Sequence, residues 1–466
     1  MKHNCKVSVI MPSLNVAKYI DQCISSVVNQ TLREIEIICI DAGSTDGTLE
    51  ILEKYASHDD RITIMNSEKR SYGYQMNLGI EAAKGEYIGI VETDDIAEPH
   101  MFEVLYHAGE DKKADYIKGN ALQFYEKEGK GKYTLPHIPY SGLKDCKADY
   151  KETDPSKDSE IFVTDNFLWN GIYRSEFIKN IKFNETPGAA FQDISVLFKI
   201  CCTAKEAIYV NKNVYLYRQD NLNASSYNKK SLVYTNGEYG RIIKDFLYGV
   251  SEDWVKICYK KMVLLTLNRF DEMVSSANYW TESEDGVLGI QEKLKYALKQ
   301  KIFSEKDFSE SQWNRIQMFI DNPRKLFESD YEYHMKKVSY IHNLREKIGD
   351  KQYIIFGFGN WGVYLDELFH LHYGISPKAF WDNSSAKWGR NEKGVPVEKP
   401  DRVENRNTLF IITNKMHSKE IREQLLELGA YPEQMLDFTV EWTDTRLYRS
   451  VECFQKLKNA QNNLTD

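Results

Sequence analysis

The stretch GEYIGIVETDDIAEP, residues 85–99, decides the fold of this chain. Its first part, Tyr87 to Val91, is a short apolar run of β-prone residues, the pattern of a strand buried on both faces of a parallel sheet. Three carboxylates follow within four residues: Glu92, Asp94 and Asp95. Ligands bind at the carboxyl ends of strands in open α/β sheets, so we expect this acidic cluster at the site-forming edge.

Two interpretations of the acidic cluster stay open at this point. Carboxylates in a row repel one another unless a cation lies among them, and Mg²⁺ usually takes one or two carboxylates plus substrate phosphates. The alternative is a polar loop at a strand end that leads into a helix. In that case Pro99 belongs to the first turn, and the acids are favoured by the helix dipole.

Strands and helices alternate upstream of the cluster. The pattern predicts a strand at 6–11 closed by Pro12, a helix from Asn15, a strand at 35–40, a helix after Gly47, a strand at 61–65 and a helix at 74–84. This alternation is typical of a doubly wound parallel α/β sheet. Its strand ends carry Asn15, Asp41 and the acidic cluster, which we expect to face one crevice.

Length and composition narrow the class of protein. The 466 residues leave room for about two or three domains, and the net charge of −8 argues against a general nucleic-acid binder. No signal peptide or transmembrane run is predicted. The eight cysteines are scattered, apart from an adjacent pair at 201–202. This scattered pattern favours a reducing compartment and therefore predicts a cytoplasmic location. The inner face of the cell membrane is the alternative within the cytoplasm.

The second half of the first domain holds further candidate residues. The loop TPGAAFQD, residues 186–193, could hold Asp193 partly desolvated at a helix start, as a general base requires, or Asp193 could merely cap that helix. Arg218, at the end of a predicted strand at 207–218, could neutralise a leaving diphosphate or form a salt bridge at the rim. Trp169 is either a core residue or a platform on which a sugar stacks.

Four motifs in this order resemble the GT-A nucleotide-sugar transferases, specifically the inverting glycosyltransferase family two. They are VSVIMPSLN at 7–15, IDAGSTDGT at 40–48, Asn77 in the helix before the acidic strand, and ETDD at 92–95 followed by Pro99. The resemblance covers about the first hundred residues and continues at Gln192-Asp193. It implies a GT-A catalytic domain, which we place at 1–228.

The resemblance also implies a role for each matching residue. Pro12 and Asn15 would shape the nucleotide pocket, and Asp41 would accept a hydrogen bond from uracil or a similar base. Asn77 would belong to the donor site, Asp94 would lie near the ribose and diphosphate, and Asp95 would bind Mn²⁺ or Mg²⁺. Asp193 would deprotonate the acceptor, with Gln192 beside it at the acceptor site, where a stacking Trp169 would also lie. Three positions depart from the family pattern: Glu92 and Ala42 stand where Asp is usual, and Gln192 stands where Glu is usual.

The rest of the chain divides into three predicted parts: an α-helical connector at 229–348, a small Rossmann-like α/β domain at 349–440 and a helical tail at 441–466. The turn GFGNWG at 357–362, with Asp382 about twenty residues later, matches the dinucleotide fingerprint. The WDN tripeptide at 381–383 resembles small nucleotide-binding-like domains appended to bacterial sugar-modifying enzymes. A structural, oligomerisation or partner role and a ligand-binding role both stay open.

The sequence therefore predicts a metal-dependent, inverting hexosyltransferase. It would move a sugar from a nucleotide diphosphate, UDP by the resemblance, to a hydroxyl of a glycan or lipid-linked glycan, in capsule or cell-surface polysaccharide synthesis. The sequence leaves open whether the protein associates peripherally with a membrane and whether it forms a homo-oligomer. The alternatives are an NAD(P)-dependent sugar-nucleotide reductase or epimerase that uses the C-terminal GxGxxG turn, and a non-catalytic sugar-nucleotide-binding protein.

Overall fold

A computed structural model describes residues 5–127, 130–137, 149–189, 191–221, 224–225, 228–276, 279–438, 444 and 446–465, with backbone alone at 125–137 and 461–465. The chain forms two compact units. The first comprises Met1–Arg269 and Glu282–Pro323, and the second comprises Phe270–Thr281 and Arg324–Asp466. No helix among the described residues combines the length and apolar character needed to cross a bilayer.

The described strands fall into two sheets, one in each unit. In chain order they are β1 Val7–Ser13, β2 Ile35–Asp41, β3 Ile62–Asn66, β4 Tyr87–Ile90, β5 Ile96–Ala97, β6 Tyr116–Lys127, β7 Lys130–His137, β8 Tyr150–Thr153, β9 Gly171–Arg174, β10 Ala207–Arg218, β11 Tyr353–Phe356, β12 Ala379–Trp381, β13 Asn391–Glu392, β14 Val395–Glu398, β15 Leu409–Ile412 and β16 Met435–Asp437.

The described α-helices alternate with the strands in both units, and five of them, α8 to α12, follow one another in the sequence between β10 and β11. They are α1 Ala17–Val28, α2 Thr48–Ala56, α3 Tyr72–Ala82, α4 Met101–Gly109, α5 Ile161–Thr164, α6 Ser175–Ile178, α7 Asp193–Thr203, α8 Ser231–Asp245, α9 Glu252–Met273, α10 Tyr279–Lys299, α11 Glu310–Asp321, α12 Pro323–Ile348, α13 Asn360–Tyr373, α14 Ser418–Glu427, α15 Arg446–Arg449 and α16 Val451–Thr465.

The sheet of the first unit confirms the α/β fold and corrects one detail of it. Its strand order is β3-β2-β1-β4-β9-β6-β10-β5, and only the first four strands form the continuous parallel run that the alternation predicts. Strand β9 is antiparallel to both β4 and β6, so the sheet is mixed. A strand that runs parallel to β4 would need a crossover connection, whereas β9 pairs with β4 in the opposite direction.

The first strand also differs from its prediction at its end. Strand β1 does not stop before Pro12 but continues to Ser13, with Pro12 opposite Ile40 of β2. The Pro12 carbonyl accepts a hydrogen bond of 2.9 Å from the Thr93 hydroxyl. Proline lacks a donor but keeps its acceptor, so here it remains within the strand and joins it to the acidic segment.

The second unit contains the smaller sheet, in the order β13-β14-β12-β11-β15-β16. All pairs are parallel except the one between β13 and β14. Buried aliphatic and aromatic residues of α12, α13 and the sheet form one hydrophobic cluster, and residues of α14 contribute to a second. A second, smaller α/β sheet towards the C-terminus is therefore confirmed.

Candidate active site

The acidic segment forms a short loop, residues 91–95, which we call the acid loop. It lies between β4 and the two-residue strand β5, and β5 pairs with the end of β10 through Ala97 and Tyr215. The Asp95 backbone N–H donates 3.0 Å to the Glu92 carbonyl, which closes the loop on itself. The end of β10 is thereby brought against the carboxylates.

Asp95 is the deepest of the three carboxylates, with 1% of its surface exposed. Its Oδ2 accepts a hydrogen bond of 3.0 Å from the Tyr215 hydroxyl, and its Oδ1 accepts one of 2.7 Å from the backbone N–H of Arg218. Burial raises the pKa of Asp95 well above its usual range, and the negative charge of Asp94 adds to the effect. The position therefore favours either a proton or a cation.

Asp94 is half-buried, and Asn221 Nδ2 donates 2.7 Å to its Oδ2. Arg218 is buried instead of lying at a rim, and its Nε donates 2.6 Å to the Asp94 carbonyl. Its Nη2 donates 2.6 Å to Gln22 Oε1, and the rings of Tyr19 and Phe124 lie 4.8 and 4.6 Å from its guanidinium carbon. Arg218 thus fixes the backbone of the acid loop.

Glu92 is the carboxylate that electrostatically connects the acid loop with the predicted base. Burial raises its pKa to about 8, opposed by a hydrogen bond from Tyr72. The charges of both Asp94 and Asp193 raise this pKa further. Asp94 and Asp193 are therefore both close enough to Glu92 to act on it.

Asp193 is the first residue of α7, as predicted, and Gln192 takes the N-cap position without a side-chain cap. Burial raises the pKa of Asp193, opposed by the positive charge of Lys261, the backbone N–H of Ile194 and the charge of Arg269. Lys261 and Arg269 lie eight residues apart on α9, so they are separated by about two turns along the helix and about 80° around it. A half-buried carboxylate of raised pKa is suited to accept a proton near neutral pH.

Gln192 does not point into solvent. Its side-chain amide is buried and donates 2.9 Å to the Thr186 carbonyl and 3.0 Å to the Gly188 carbonyl. We call residues 183–189 and 191–192 the base loop, since they lead into α7. The amide of Gln192 supplies two donors here that a carboxylate could not supply.

The loops after β1 and β2 contact each other through Asn15 and Asp41. The Asn15 Oδ1 accepts 2.9 Å from the Thr45 N–H. Asp41 is buried, and its carboxylate accepts hydrogen bonds from the N–H groups of Gly43 and Ser44, each at 2.9 Å, and from the Ser44 hydroxyl at 2.5 Å. Asp41 therefore organises the turn that follows β2.

Asn77 and Trp169 both make internal contacts. Asn77 pairs with the backbone of Phe183, donating 3.0 Å to its carbonyl and accepting 2.9 Å from its N–H. The Trp169 ring is buried and stacked between Phe167, at 4.4 Å, and Tyr215, at 4.3 Å. Asn77 thus holds the base loop, and Trp169 lies in an aromatic stack with the tyrosine that contacts Asp95.

The structure thus brings Asp94, Asp95 and Arg218 into one hydrogen-bonded group, with Asp193 within electrostatic reach of Glu92. Sequence reasoning missed Tyr72 and Tyr215, whose hydroxyls contact Glu92 and Asp95. It also missed the two α9 cations beside Asp193. No signal in the sequence marks these residues, because their partners are distant along the chain.

The GFGNWG turn of the second unit joins β11 to α13, as its pattern predicts. Gly357 has a φ of +116°, which favours glycine. Asp382, the acidic residue of the fingerprint, accepts 2.9 Å from the Phe358 N–H and 2.9 Å from Lys387 Nζ. Its carboxylate is therefore already used to hold the glycine-rich turn.

Comparisons with known proteins identify the family. The model described as glycosyl transferase family 2 matches residues 8–176. Glycosyltransferase GlyG of Streptococcus pneumoniae serotype 4 is 30% identical over 221 residues, which are 46% of this chain and 70% of GlyG. The chain belongs to glycosyl transferase family 2.

Another curated protein and a solved structure are also similar to parts of the chain. The cholesterol galactosyltransferase of Borreliella burgdorferi is 32% identical over 219 residues, which are 46% of this chain and 60% of the relative. The crystal structure of S. aureus TarS 1-349 in complex with UDP-GlcNAc is 19% identical, with a TM-score of 0.46, and covers 69% of this chain and 92% of TarS 1-349.

Family membership confirms that this protein is an enzyme, a glycosyltransferase. The family model covers Asp41 and both aspartates of the acid loop, and it ends before Asp193 and Arg218. The base loop therefore lies in the part of this glycosyltransferase that the model does not cover.

The side chains at the acid loop fit a divalent cation. Asp94 and Asp95 offer carboxylate oxygens, which are the hard ligands that Mg²⁺ and Mn²⁺ prefer. Within the described ranges, no group of three or more His, Cys, Asp or Glu side chains could hold a metal. One or two protein carboxylates suffice where substrate phosphates complete the coordination. The residues thus suit a metal that binds together with a nucleotide diphosphate.

Proposed function

We propose that this glycosyltransferase is inverting and metal-dependent and transfers a hexose-type sugar from a UDP donor to a hydroxyl of a glycan acceptor. The observation that carries the proposal is the hydrogen-bonded group of Asp94, Asp95 and Arg218 in and beside the acid loop, because it offers two carboxylates to a cation and a nucleotide diphosphate. Asp193, whose charge raises the pKa of Glu92 in the same loop, is the candidate base that a direct displacement at the anomeric carbon needs. Capsule or cell-surface polysaccharide is the proposed product.

In this mechanism the acceptor oxygen attacks the anomeric carbon and the bond to the diphosphate oxygen breaks. The nucleotide diphosphate leaves with the bonding electron pair, and Asp193 takes the proton of the acceptor hydroxyl. Its raised pKa brings proton affinity closer to working pH, while Lys261 and Arg269 keep part of the population ionised.

On the donor side, Asp95 would hold Mn²⁺ or Mg²⁺, which when bound would stabilise negative charge on the leaving diphosphate. Asp94 would lie at the ribose and diphosphate, and Asp41 with Asn15 would form the wall of the nucleotide pocket next to the nucleobase. Tyr215 and Arg218 orient Asp95 through the hydrogen bonds described above. Their task is to keep the carboxylate oxygens fixed before the donor arrives.

The proposal is tested by release of UDP from a panel of UDP-sugars. We expect Asp193→Asn to lower turnover by roughly 10²–10⁴-fold, the usual contribution of a positioned base. Binding of UDP, measured by calorimetry with Mn²⁺, should change little, because Asp193 contacts the acceptor side. Wild-type turnover in this variant would refute the assignment of the base. Turnover that persists in EDTA would refute the metal dependence.

A further inference from the structure

The base loop is held from one side by α3. Gly73 approaches it so closely that a Cβ there would lie 1.9 Å from the Asn184 carbonyl oxygen. The Tyr72 N–H donates 3.2 Å to the Gly188 carbonyl, and Asn77 pairs with the Phe183 peptide. This side of the loop is thus fixed by the Tyr72 backbone, by the close approach of Gly73 and by the side-chain amide of Asn77.

The other side is held by two charged residues of α8. Glu238 is fully buried, and its Oε2 accepts 2.7 Å from Asn184 Nδ2, while its Oε1 accepts 2.5 Å from Arg241 Nη1. The second arm of the Arg241 guanidinium, Nη2, donates 3.0 Å to the Thr186 hydroxyl. One ion pair on α8 therefore contacts the base loop at two points, residues 184 and 186.

Asn184 and Thr186, the two contact points, are hydrogen-bonded to residues close to Asp193 in the sequence. Asn184 also donates 3.0 Å to the Ser195 hydroxyl, which lies in the first turn of α7 and donates 3.2 Å to the Gln192 carbonyl. Thr186 accepts the Gln192 amide through its carbonyl. The polar contacts therefore run from Arg241 and Glu238 to Gln192, immediately before Asp193, and to Ser195, two residues after it.

We propose that Glu238 and Arg241 are positioning residues for Asp193, fixing the start of α7 so that its carboxylate meets the acceptor hydroxyl. The inference rests on the proposed function, in which Asp193 is the base. Both residues lie beyond the segment that the family model matches. An ion pair with one partly exposed partner gives little net stability, so its two hydrogen bonds to the base loop fit a geometric role.

The ion pair has an electrostatic consequence that a purely structural support would lack. The charged and titratable groups around Asp193 come from four elements: Lys261 and Arg269 of α9, Glu238, Tyr239 and Arg241 of α8, Tyr72 of α3, and Glu92 of the acid loop. Glu238 and Arg241 together are neutral. Removal of either one leaves the charge of the other near Asp193.

The test uses the full chain and UDP release from the UDP-sugar that the wild type turns over fastest. Arg241→Met and Glu238→Gln should each lower kcat at least about tenfold, since small misplacements of catalytic groups can cost up to about 10²-fold. The acidic limb of the pH profile of kcat should move to higher pH in Arg241→Met and to lower pH in Glu238→Gln. Arg241→Lys keeps the positive charge but lacks the two-armed guanidinium. This variant should therefore show the acidic limb at the wild-type pH and recover only part of kcat.

Lys244→Met is the matched control, because Lys244 is exposed on the same helix and should leave kcat and the profile unchanged. Thermal melting shows whether each variant is folded. Unchanged kcat in both variants, or loss of kcat without the opposite movements of the limb, would overturn the inference.

Hydrogen exchange separates this inference from the proposed function. Peptides from 183–189 and 191–203 should exchange faster in Arg241→Met than in the wild type, with the strands of the first sheet unaffected. Absence of UDP release by the wild type would overturn the proposed function, and the exchange rates would still decide whether α8 holds the loop. Unchanged exchange in these peptides would overturn the inference in either case.

Discussion

The Tyr215 hydroxyl lies 3.0 Å from Asp95 Oδ2 and also accepts a 3.0 Å hydrogen bond from the Glu92 backbone N–H. One phenol therefore joins two residues of the acid loop, and its ring stacks on Trp169. The stack is buried, so the hydroxyl is held in place by packing instead of by solvent-exposed contacts.

Tyr215→Phe should lower stability by about 1–3 kcal/mol, because it removes the partner of a buried carboxylate and of a backbone N–H. We also expect weaker Mn²⁺-dependent UDP binding, since Asp95 loses the donor that orients it. Urea denaturation and calorimetry with UDP measure the two effects. Tyr248→Phe is the control, because Tyr248 is 97% exposed. Equal UDP affinity in Tyr215→Phe and wild type would contradict the orienting role.

Arg269→Met should move the acidic limb of UDP release to higher pH. Asp193 has a raised pKa that the positive charge of Arg269 opposes, so removal of this charge raises the pKa further. The base is active only when ionised, so activity is lost at a higher pH on acidification. The pH profile of kcat provides the measurement, with exposed Asn268→Ala as the control. An unmoved limb would mean that Asp193 does not set it.

Gly73→Ala should disrupt the base loop, because the added methyl group would overlap the Asn184 carbonyl oxygen. We expect lower kcat and a lower melting temperature. Gly237→Ala is the matched control: its Cβ would lie 3.7 Å from Arg241 Nη1, an ordinary contact, within helix α8. This control should stabilise the protein by up to about 1 kcal/mol through helix propensity. A melting temperature as high in Gly73→Ala as in the wild type would show that the loop adapts.

Acid should destabilise the second unit between about pH 6.5 and pH 4. Burial lowers the pKa of both His334 and His372 to about 4. The unfolded chain then binds more protons than the folded one between these values, so stability is fully present above pH 6.5 and falls as pH decreases. The loss is on the order of 3 kcal/mol for each histidine.

Calorimetric melting from pH 7 to pH 4.5 checks this expectation. His334→Gln should flatten the acid dependence, while exposed His417→Gln should leave it unchanged. His334 Nε2 lies 2.7 Å from the Ser450 hydroxyl, and the glutamine amide can keep a hydrogen bond to it. The same slope in wild type and His334→Gln would assign the acid sensitivity to other groups.

Local patterns predicted much of the fold because they depend on neighbouring residues. The bounds of β10, Ala207–Arg218, and the start of α7 at Asp193 agree with the sequence reading. The mixed character of the first sheet was not predictable, since the direction of β9 depends on pairing with distant strands. The same limit applies to the C-terminal end of β1, where pairing with β2 carries the strand through Pro12.

At the candidate site, residue types were predictable but their contacts were not. The acidic cluster and Asp193 carry patterns that can be read locally, whereas Tyr215 contacts Asp95 across 120 positions of sequence. Arg218 illustrates the difference most clearly. Its charge suggested phosphate binding, and the structure shows its guanidinium engaged by Gln22 and the Asp94 carbonyl. The roles of the donor-site residues stay predictions.

The contact between Arg218 and the acid loop has a consequence for biosynthesis. The acid loop is translated more than a hundred residues before Tyr215 and Arg218, the partners that fix Asp95. A nascent chain that ends near residue 200 would carry all three acids of this loop without their supports. We therefore expect the ability to bind a nucleotide to arise late during translation, once the ribosome has released the segment that forms β10.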